Sequence, residues 1–584
     1  MFILGICNDE TASACLMKDG KIIFAVSEER FTRKKLDNSF PQKSIDACLA
    51  FSNIELRDVE VIAYAWAKGF QEDLVQKLFD FGVKCAGDQE ALKIAKERIK
   101  WEIDSDITKR QEFDNWVAKN IDFSTQRVFD FYHHEAHAAS AAFYSPFDNG
   151  FVYTSDARGD FEATTIYKFE RYSNQKLNKI FSAISANSFG FFYGRIAGLL
   201  GFKPMRHEGK ITGLAAYGDP TKAYDLCKKM IDVCDGNVCA NLGEYYSPFF
   251  EIYSKLLEKE ISKYKKEDVA AAAQLHLENM MVNLLDFHLK DNCVNETNLM
   301  CAGGVFGNVK VTQRLKEMDQ INKCYVQPQM GDGGLCVGAC ALAFNKINSS
   351  SAKAKLSGNV AATVKELTSV CLGPKASYRE SGHDDYVKEF THKSPTYTEA
   401  ASELAKSLKD KNVIGLINGR MEFGPRALCN RSIIVPTSDK TINDWLNKRM
   451  SRTEFMPFAP VLRKEIAESC IKDFDNEDVT LNFMTSTVDC TDEFQANNPA
   501  VVHIDKTARP QIVTEDSNNF IWNVLCEWEK ISGENSLVNT SFNVHEEPII
   551  CDIDEGIVAL RGGVIDQLWV VEDDVVCVYS KQKI

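Results

Sequence analysis

No run of apolar residues in this chain approaches the ~20 that a membrane helix needs, which argues against a membrane-spanning protein. The opening MFILGICNDE is apolar too briefly for a signal peptide, so no leader is expected. There is no C-x-x-C pair, although cysteines number 19 and are scattered through apparent core segments such as CLMK, VCLG and VVCVY. That usage is of reduced thiols, so a cytoplasmic address is expected. Basic charge is in deficit: the formal net charge of −15 argues against a general nucleic-acid binder and leaves only a local basic groove open. Histidine is scarce, with ten in 584 residues, yet three fall within five positions.

What is present is an ordinary globular composition, 45% hydrophobic and 26% charged, with length for more than one domain. The histidine cluster lies in HHEAHAAS, His133 to Ser140, which reads as helix. His133 and His137 are four apart, so both imidazoles share one helix face and suit two ligands of one divalent ion. The order H-H-E-A-H is not the H-E-x-x-H of metalloproteases. The bland alternative is a helix with surface histidines.

The start reads as three short strands, FILGI, SACLMK and KIIFAVSEE, the last two joined by a turn at Asp19-Gly20. Glu28 to Pro41 is charge-rich, and charge alone favours a solvated loop there. A strand follows by Trp66, then a helical, charged insertion to about Lys119. VYTSDARGDFEATTIYKFE looks like a hairpin around Asp156 to Glu162. Two later glycine-rich turns, CAGGVFGN and GDGG, each follow a strand and precede a helix, the setting in which backbone N–H groups meet an anion. Asp156 and Asp332 are candidate acidic ligands beside the histidines, with turn chemistry as the alternative. The polar stretch NKINSSSAKAKLSGN has linker composition, and β-rich sequence resumes beyond it. The expected division is 1–350, a linker over 351–369, and 370–584.

The strings EERFTRKKLDNSFP, HHEAHAASAAFYSPF, GKITGLAAYG, GGVFGN, GDGG, GRMEFGPRALCNRS, RTEFMPFAP and LVNTSFNVHEEPI occur in this order along nearly the whole chain. On these motifs the chain resembles the O-carbamoyltransferases of antibiotic and nodulation-factor biosynthesis, GRMEFGPRAL being the most diagnostic. The resemblance implies an α/β protein with an N-terminal duplicated actin-like (ribonuclease H-like, ASKHA) ATPase fold and a smaller C-terminal YrdC-like α/β domain. It implies carbamoyl phosphate and ATP as co-substrates, a carbamoyl-adenylate intermediate, and transfer to a hydroxyl of a small acceptor, a sugar or secondary metabolite. By motif, His133, His137, Asp156 and Asp332 match metal ligands, with Fe2+ expected and Mg2+ or Mn2+ as alternatives. Lys35, Gly304 and Asn308 match nucleotide contacts. Arg509, Asn539 and Ser541 match the carbamoyl phosphate pocket, where guanidinium forks suit a dianion, and Arg426, in the GPRAL string, and Arg452 are further candidate contacts in the same domain. Without the resemblance, Arg420, Arg426 and Arg431 read as a solvent-exposed or ion-paired face.

The chain departs from the family near its start. GICNDETASA places Glu10 where the family carries the histidine favoured as base, making Glu10 the candidate base, with His134 and His207 as alternatives. An ordinary carboxylate pKa of ~4.3 is low for that task unless burial or a nearby anion raises it. Met450 and Met456 replace a lysine and an arginine, with Arg449 and Arg452 as candidate substitutes, and His545 replaces an expected arginine. The competing readings are a kinase or ATPase on the actin-like scaffold, a transfer-RNA threonylcarbamoylation enzyme, and an inactive nucleotide-binding homologue. A homodimer is compatible with the sequence, and acceptor-choosing loops are expected in Lys68–Ile121 and Asp219–Glu267.

Overall fold

The computed structural model describes residues 1–69, 71–85, 89–240, 255–350, 363–378, 382–452 and 457–582. Residues 351–362 of the expected linker, part of the Asp219–Glu267 segment, and Met456 lie outside the described residues. The chain is a mixed α/β protein of two compact units. One comprises Met1–Ala25 and Asn38–Leu367, the other Val26–Asp37 and Thr368–Ile584. Among the described residues no helix is long and apolar enough to cross a membrane.

The first unit holds two five-stranded sheets. Strands β1 (Phe2–Cys7), β2 (Ser13–Lys18), β3 (Lys21–Ser27), β4 (Val61–Tyr64) and β5 (Arg127–Asp130) lie in the order β3-β2-β1-β4-β5. β1 pairs antiparallel with β2 but parallel with β4, so it is central and buried, and its sequence is a nearly unbroken apolar run. The β2–β3 turn has Asp19 and Gly20 both at positive φ, 49° and 83°, the conformation that Asp-Gly supplies in two-residue hairpins.

The second sheet uses β6 (Asn149–Gly159), β7 (Glu162–Glu170), β8 (Leu177–Ile184), β11 (Thr297–Ala302) and β12 (Ile321–Val326) in the order β12-β11-β6-β7-β8. β9 (Ile231–Cys234) and β10 (Asn237–Ala240) form a separate hairpin. Read from the hairpin edge, both large sheets run third strand, second, first, then two parallel strands, so one topology occurs twice. The β6–β7 register is irregular between Ser155 and Gly159. Such a bulge re-aims side chains, and Asp156 sits in it. The histidine helix, His133–Ala142, is buried nearly throughout, which excludes the alternative of a helix with surface histidines. It packs against the helix Leu335–Ser350 at such close range that a Cβ on Gly338 would fall 1.9 Å from the Ala136 carbonyl oxygen.

The second unit is built on an eight-stranded sheet. Its strands are β13 (Thr391–Lys393), β14 (Ile414–Asn418), β15 (Arg431–Pro436), β16 (Ala459–Arg463), β19 (Gln511–Val513), β20 (Ser536–Ser541), β21 (Gln567–Glu572) and β22 (Val575–Ser580). They lie in the order β13-β22-β21-β14-β15-β20-β16-β19, while β17 (Val488–Asp489) and β18 (Thr507–Ala508) pair separately. Alternate residues feed two cores: Ile417, Ile433 and Val538 one, Leu416, Ile434 and Leu537 the other. A sheet covered on both faces follows from the period-two alternation.

The charge-rich segment after β3 is not the solvated loop that its composition suggests. Glu28, Glu29 and Arg30 are buried, the short helix Glu29–Thr32 forms, and Arg30 pairs with Glu29 (3.0 Å) while donating to the Gly424 carbonyl (3.1 Å). Arg33 donates to the Pro548 and Ile549 carbonyls (2.8 and 2.9 Å) and pairs with Glu555 (3.0 Å). The charges are satisfied by one another and by backbone oxygens, so burial does not strand them.

Candidate active site

Four side chains predicted as ligands converge in the first unit. His133 and His137 come from one face of their helix, Asp156 from the bulge in β6, and Asp332 from the turn Asp332–Gly334. His137 Nε2 lies 3.2 Å from Asp156 Oδ2 and 3.4 Å from Asp332 Oδ1, and His133 Nε2 lies 3.5 Å from Asp332 Oδ1. One donor atom from each of the four residues falls within 4.8 Å of every other. An ion with bonds of about 2.0–2.2 Å holds adjacent ligand atoms roughly 3.0–3.6 Å apart, so these separations fit the edges of a coordination shell. Both ring nitrogens of His133 and of His137, and Oδ1 of Asp332, are buried with no hydrogen-bond partner. Native structures rarely leave such groups unsatisfied, and the donor set suits a divalent cation.

Neighbouring groups fix the quartet. Asp156 accepts from the Ala157 N–H (2.6 Å) and the Gly304 N–H (2.8 Å), and Asp160 Oδ2 accepts from the His133 N–H (2.6 Å). Trp66 meets the His133 ring edge-on, 5.1 Å between centroids. Gly159 passes so close that a Cβ there would lie 2.2 Å from the imidazole. Against burial, which draws it down, the carboxylates of Asp156 and Asp332 raise His137 to about 9, whereas burial and its neighbouring histidines hold His133 well below its ordinary value.

Gly304, predicted on a nucleotide loop, spends its N–H on Asp156. Asn308 caps the helix Val309–Lys316, accepting from the Val311 N–H (3.4 Å), and exchanges amide hydrogen bonds with Gln274. Lys35 belongs to the second unit, while Gly304 and Asn308 belong to the first.

Glu10 sits on the turn after β1, next to Thr11 at φ 64°. Burial first, then the carboxylates of Asp9, Asp156 and Glu208, push it up from 4.5 to about 7, with Lys109 opposing. That is the range a base at neutral pH requires. The alternatives fare less well. His134 is fully buried, bonds through Nδ1 to Thr154 Oγ1 (2.8 Å), and is drawn down by burial to about 4. His207 accepts from the Lys203 N–H (3.2 Å), a local turn contact.

In the second unit the GRMEFGPRAL string forms a loop around its own acid. Glu422 Oε1 accepts from the N–H groups of Leu428 (2.6 Å), Asn430 (2.9 Å) and Arg431 (3.1 Å). Of the three arginines read as an exposed or ion-paired face, two are clamps on backbone carbonyls instead. Arg431 is fully buried and donates to Gly419, Asn430, Cys551 and Pro374 oxygens, and Arg420 donates to Gly373 and Leu372. Glu422 went unnoticed in the sequence, although its place inside the most diagnostic string was the available signal.

Arg426 and Arg509 are different. Both retain some accessible surface, but desolvation lowers Arg426 to about 10, and desolvation with the nearby Arg426 charge holds Arg509 well below its ordinary value. Arg509 Nε lacks an acceptor, and among the described residues no carboxylate pairs with Arg509. Asn539 donates to Ala427 O (2.9 Å) and Gln511 Oε1 (2.7 Å), leaving its own Oδ1 without a partner. Arg452 braces the NTSFN turn, reaching Thr540 Oγ1 (3.2 Å), Ser541 Oγ (3.0 Å) and Asn543 Oδ1 (2.5 Å). Arg449, the other candidate substitute, instead pairs with Asp566 (3.1 Å) on the surface.

The family pattern described as Carbamoyltransferase N-terminus matches residues 3–341, and that described as Carbamoyltransferase C-terminus matches residues 405–577. The chain therefore belongs to the carbamoyltransferase family and is a transferase. Similar proteins include Uncharacterized protein MJ1051 of Methanocaldococcus jannaschii, 31% identical over 559 residues, covering 94% of this chain and 94% of that one. Nodulation protein NolNO of Sinorhizobium fredii is 28% identical, with 93% of this chain and 76% of that one covered. Nodulation protein NolO of Bradyrhizobium diazoefficiens is 30% identical over 73% of this chain and 75% of its own.

Proposed function

We propose that the enzyme is an O-carbamoyltransferase that consumes carbamoyl phosphate and ATP, makes carbamoyl adenylate, and carbamoylates a hydroxyl of a small acceptor. The first unit, with its repeated strand order, would be a duplicated actin-like fold, and the second a YrdC-like domain. The observation that carries the reading is Arg509, a desolvated guanidinium whose Nε lacks an acceptor and with which no carboxylate pairs among the described residues, together with the unpartnered Oδ1 of Asn539. A desolvated guanidinium without a carboxylate calls for an anion, and a carbamoyl NH2 is a natural donor to a free amide oxygen. Carbamoyl phosphate has both groups.

In this scheme phosphate leaves carbamoyl phosphate on hydrolysis. An oxygen of the resulting carbamate attacks the α-phosphorus of ATP and displaces pyrophosphate. The acceptor oxygen then attacks the carbamoyl carbon, and AMP departs. Glu10 takes the acceptor proton, at a pKa near the working pH. His133, His137, Asp156 and Asp332 would hold a divalent cation, Fe2+ or alternatively Mg2+ or Mn2+, which supplies Lewis-acid polarisation and an anchor for phosphate oxygens.

The test is pyrophosphate release by purified protein supplied with ATP, carbamoyl phosphate and a divalent ion, alongside Arg509→Ala and Asn539→Ala. The expected result is release that depends on carbamoyl phosphate and falls at least about tenfold in each variant. Release independent of carbamoyl phosphate would overturn the proposal in favour of a plain ATPase or kinase.

A further inference from the structure

A second group of metal-ligating side chains lies wholly within the second unit, while the quartet belongs to the first. His383 opens the helix His383–Glu389, His392 is the middle residue of the edge strand β13, and Cys577 lies on β22. The strand register brings two of them together. β13 pairs antiparallel with β22, and His392 stands opposite Tyr579. Cys577 is two residues from Tyr579, so the alternation of a strand puts His392 and Cys577 on one face of the sheet. The helix delivers the third, with the His383 and His392 rings 4.8 Å apart and 77° between their planes. One donor atom from each of the three residues falls within 4.8 Å of the others. A zinc ion bound by nitrogen at about 2.0–2.1 Å and by sulfur at about 2.3 Å has tetrahedral edges of roughly 3.3–3.6 Å. All three side chains are half-buried, so a closing movement of about 1 Å completes the shell and solvent supplies the ion.

Each imidazole is held by one ring nitrogen, as metal ligands usually are. His383 Nδ1 meets the Tyr579 hydroxyl (2.6 Å), which is itself bonded to the Tyr378 hydroxyl (2.7 Å), and His392 Nε2 meets Ser394 Oγ (3.2 Å). Among the described residues every hydrogen bond of the two rings is made through these two nitrogens. Partners of this kind fix the tautomer and the ring plane, and they leave the opposite nitrogen to offer a lone pair. The donor set also differs in kind from the quartet. Two imidazoles and a thiol are borderline-soft and suit Zn2+ over Mg2+, whereas the quartet offers two carboxylates.

We propose that His383, His392 and Cys577 form a zinc site, three protein ligands with water in the fourth position, that clips the edge of the second unit's sheet. On binding, Cys577 releases its proton to solvent and coordinates as the thiolate, with no change of oxidation state. The clip acts where the sheet is weakest. β13 is three residues long and has β22 as its one neighbour in the sheet. Its ligands come from segments far apart in the chain, and a metal that closes a long loop removes the most freedom from the unfolded state.

The experiment loads the full chain, reduced and freed of metal by a chelator, with Co2+ as a spectroscopic stand-in for zinc. Cobalt bound to a thiolate gives a sulfur-to-metal charge-transfer band in the near ultraviolet, and the quartet, having no sulfur, cannot produce it. The expected result is that band in wild type, its bleaching when Zn2+ displaces the cobalt, and its loss in Cys577→Ser and in His392→Gln. Both substitutions are at half-buried positions, and circular dichroism checks that the variants fold. Equilibrium dialysis against Zn2+ should then find one ion fewer per chain in Cys577→Ser than in wild type. Tyr579→Phe removes only the hydroxyl that holds His383 and should raise the zinc Kd about tenfold. Zinc should also raise the Tm of wild type more than that of Cys577→Ser. A band that is absent from wild type, or that survives either ligand substitution, would overturn the proposal, as would equal zinc content in wild type and Cys577→Ser.

Discussion

Glu10→Gln separates stability from activity in a way that depends on pH. A carboxyl moved from 4.5 to about 7 by burial and by Asp9, Asp156 and Glu208 costs the folded protein free energy whenever it is ionised. At ~1.36 kcal/mol per pH unit the ceiling is about 3 kcal/mol. Part of the side chain reaches solvent, and screening reduces the figure to about 1–2 kcal/mol. The sign follows from proton binding. Between 4.5 and 7 the folded state keeps a proton that the unfolded chain has lost, so stability falls as pH rises through this window. Glutamine carries no such penalty. The variant is expected to melt above wild type at pH 8 and level with it near pH 4.5. For a unit of roughly 350 residues about 1 kcal/mol is worth ~1–2 °C, so the gain at pH 8 is ~1–4 °C. Calorimetry of chelator-treated protein measures it, since a bound cation would offset the charge of Asp156. Carbamoyl transfer should fall at least about 100-fold in the same variant. An equal melting shift at both pH values, or a variant less stable at pH 8, would refute the reasoning.

Gly159→Ala places a methyl 2.2 Å from the His133 ring, so the imidazole must turn away from Asp332. Affinity for a divalent ion, read by competition with a chromophoric chelator, is expected to drop about 10–100-fold, the usual scale for a disturbed support of a metal ligand. Gly338→Ala drives a methyl into the Ala136 carbonyl and wedges two helices apart, which should cost about 1–3 kcal/mol in denaturant unfolding.

The histidine pair was legible because helix periodicity projects i and i+4 onto one face, and Asp332 because its turn joins a strand to a helix. The hairpin at Asp19-Gly20 was legible for a similar reason, since its residue types tolerate positive φ. Tertiary uses of charge were not. Arg431 and Glu422 look like surface residues by composition, yet each meets a ring of backbone groups assembled from distant or looping chain. Asp160 and Gly159 were equally hidden, for their roles come from the return of β6 beneath the histidine helix, a long-range approach that no local pattern encodes.

The segment Val26–Asp37 belongs to the second unit, whose remaining residues begin only at Thr368. During synthesis about 330 residues separate the arm from the start of the rest of its unit, a delay of at least roughly 15–70 s at ordinary translation rates. Through that interval Arg30 and Arg33 have no carbonyls of Gly424, Pro548 and Ile549 to meet. The high charge of the arm then has a use of its own, because it keeps the waiting segment soluble. Cutting the gene near residue 350 leaves that arm on the wrong fragment, so a C-terminal piece expressed alone lacks the guanidiniums that meet the Gly424, Pro548 and Ile549 carbonyls and Glu555.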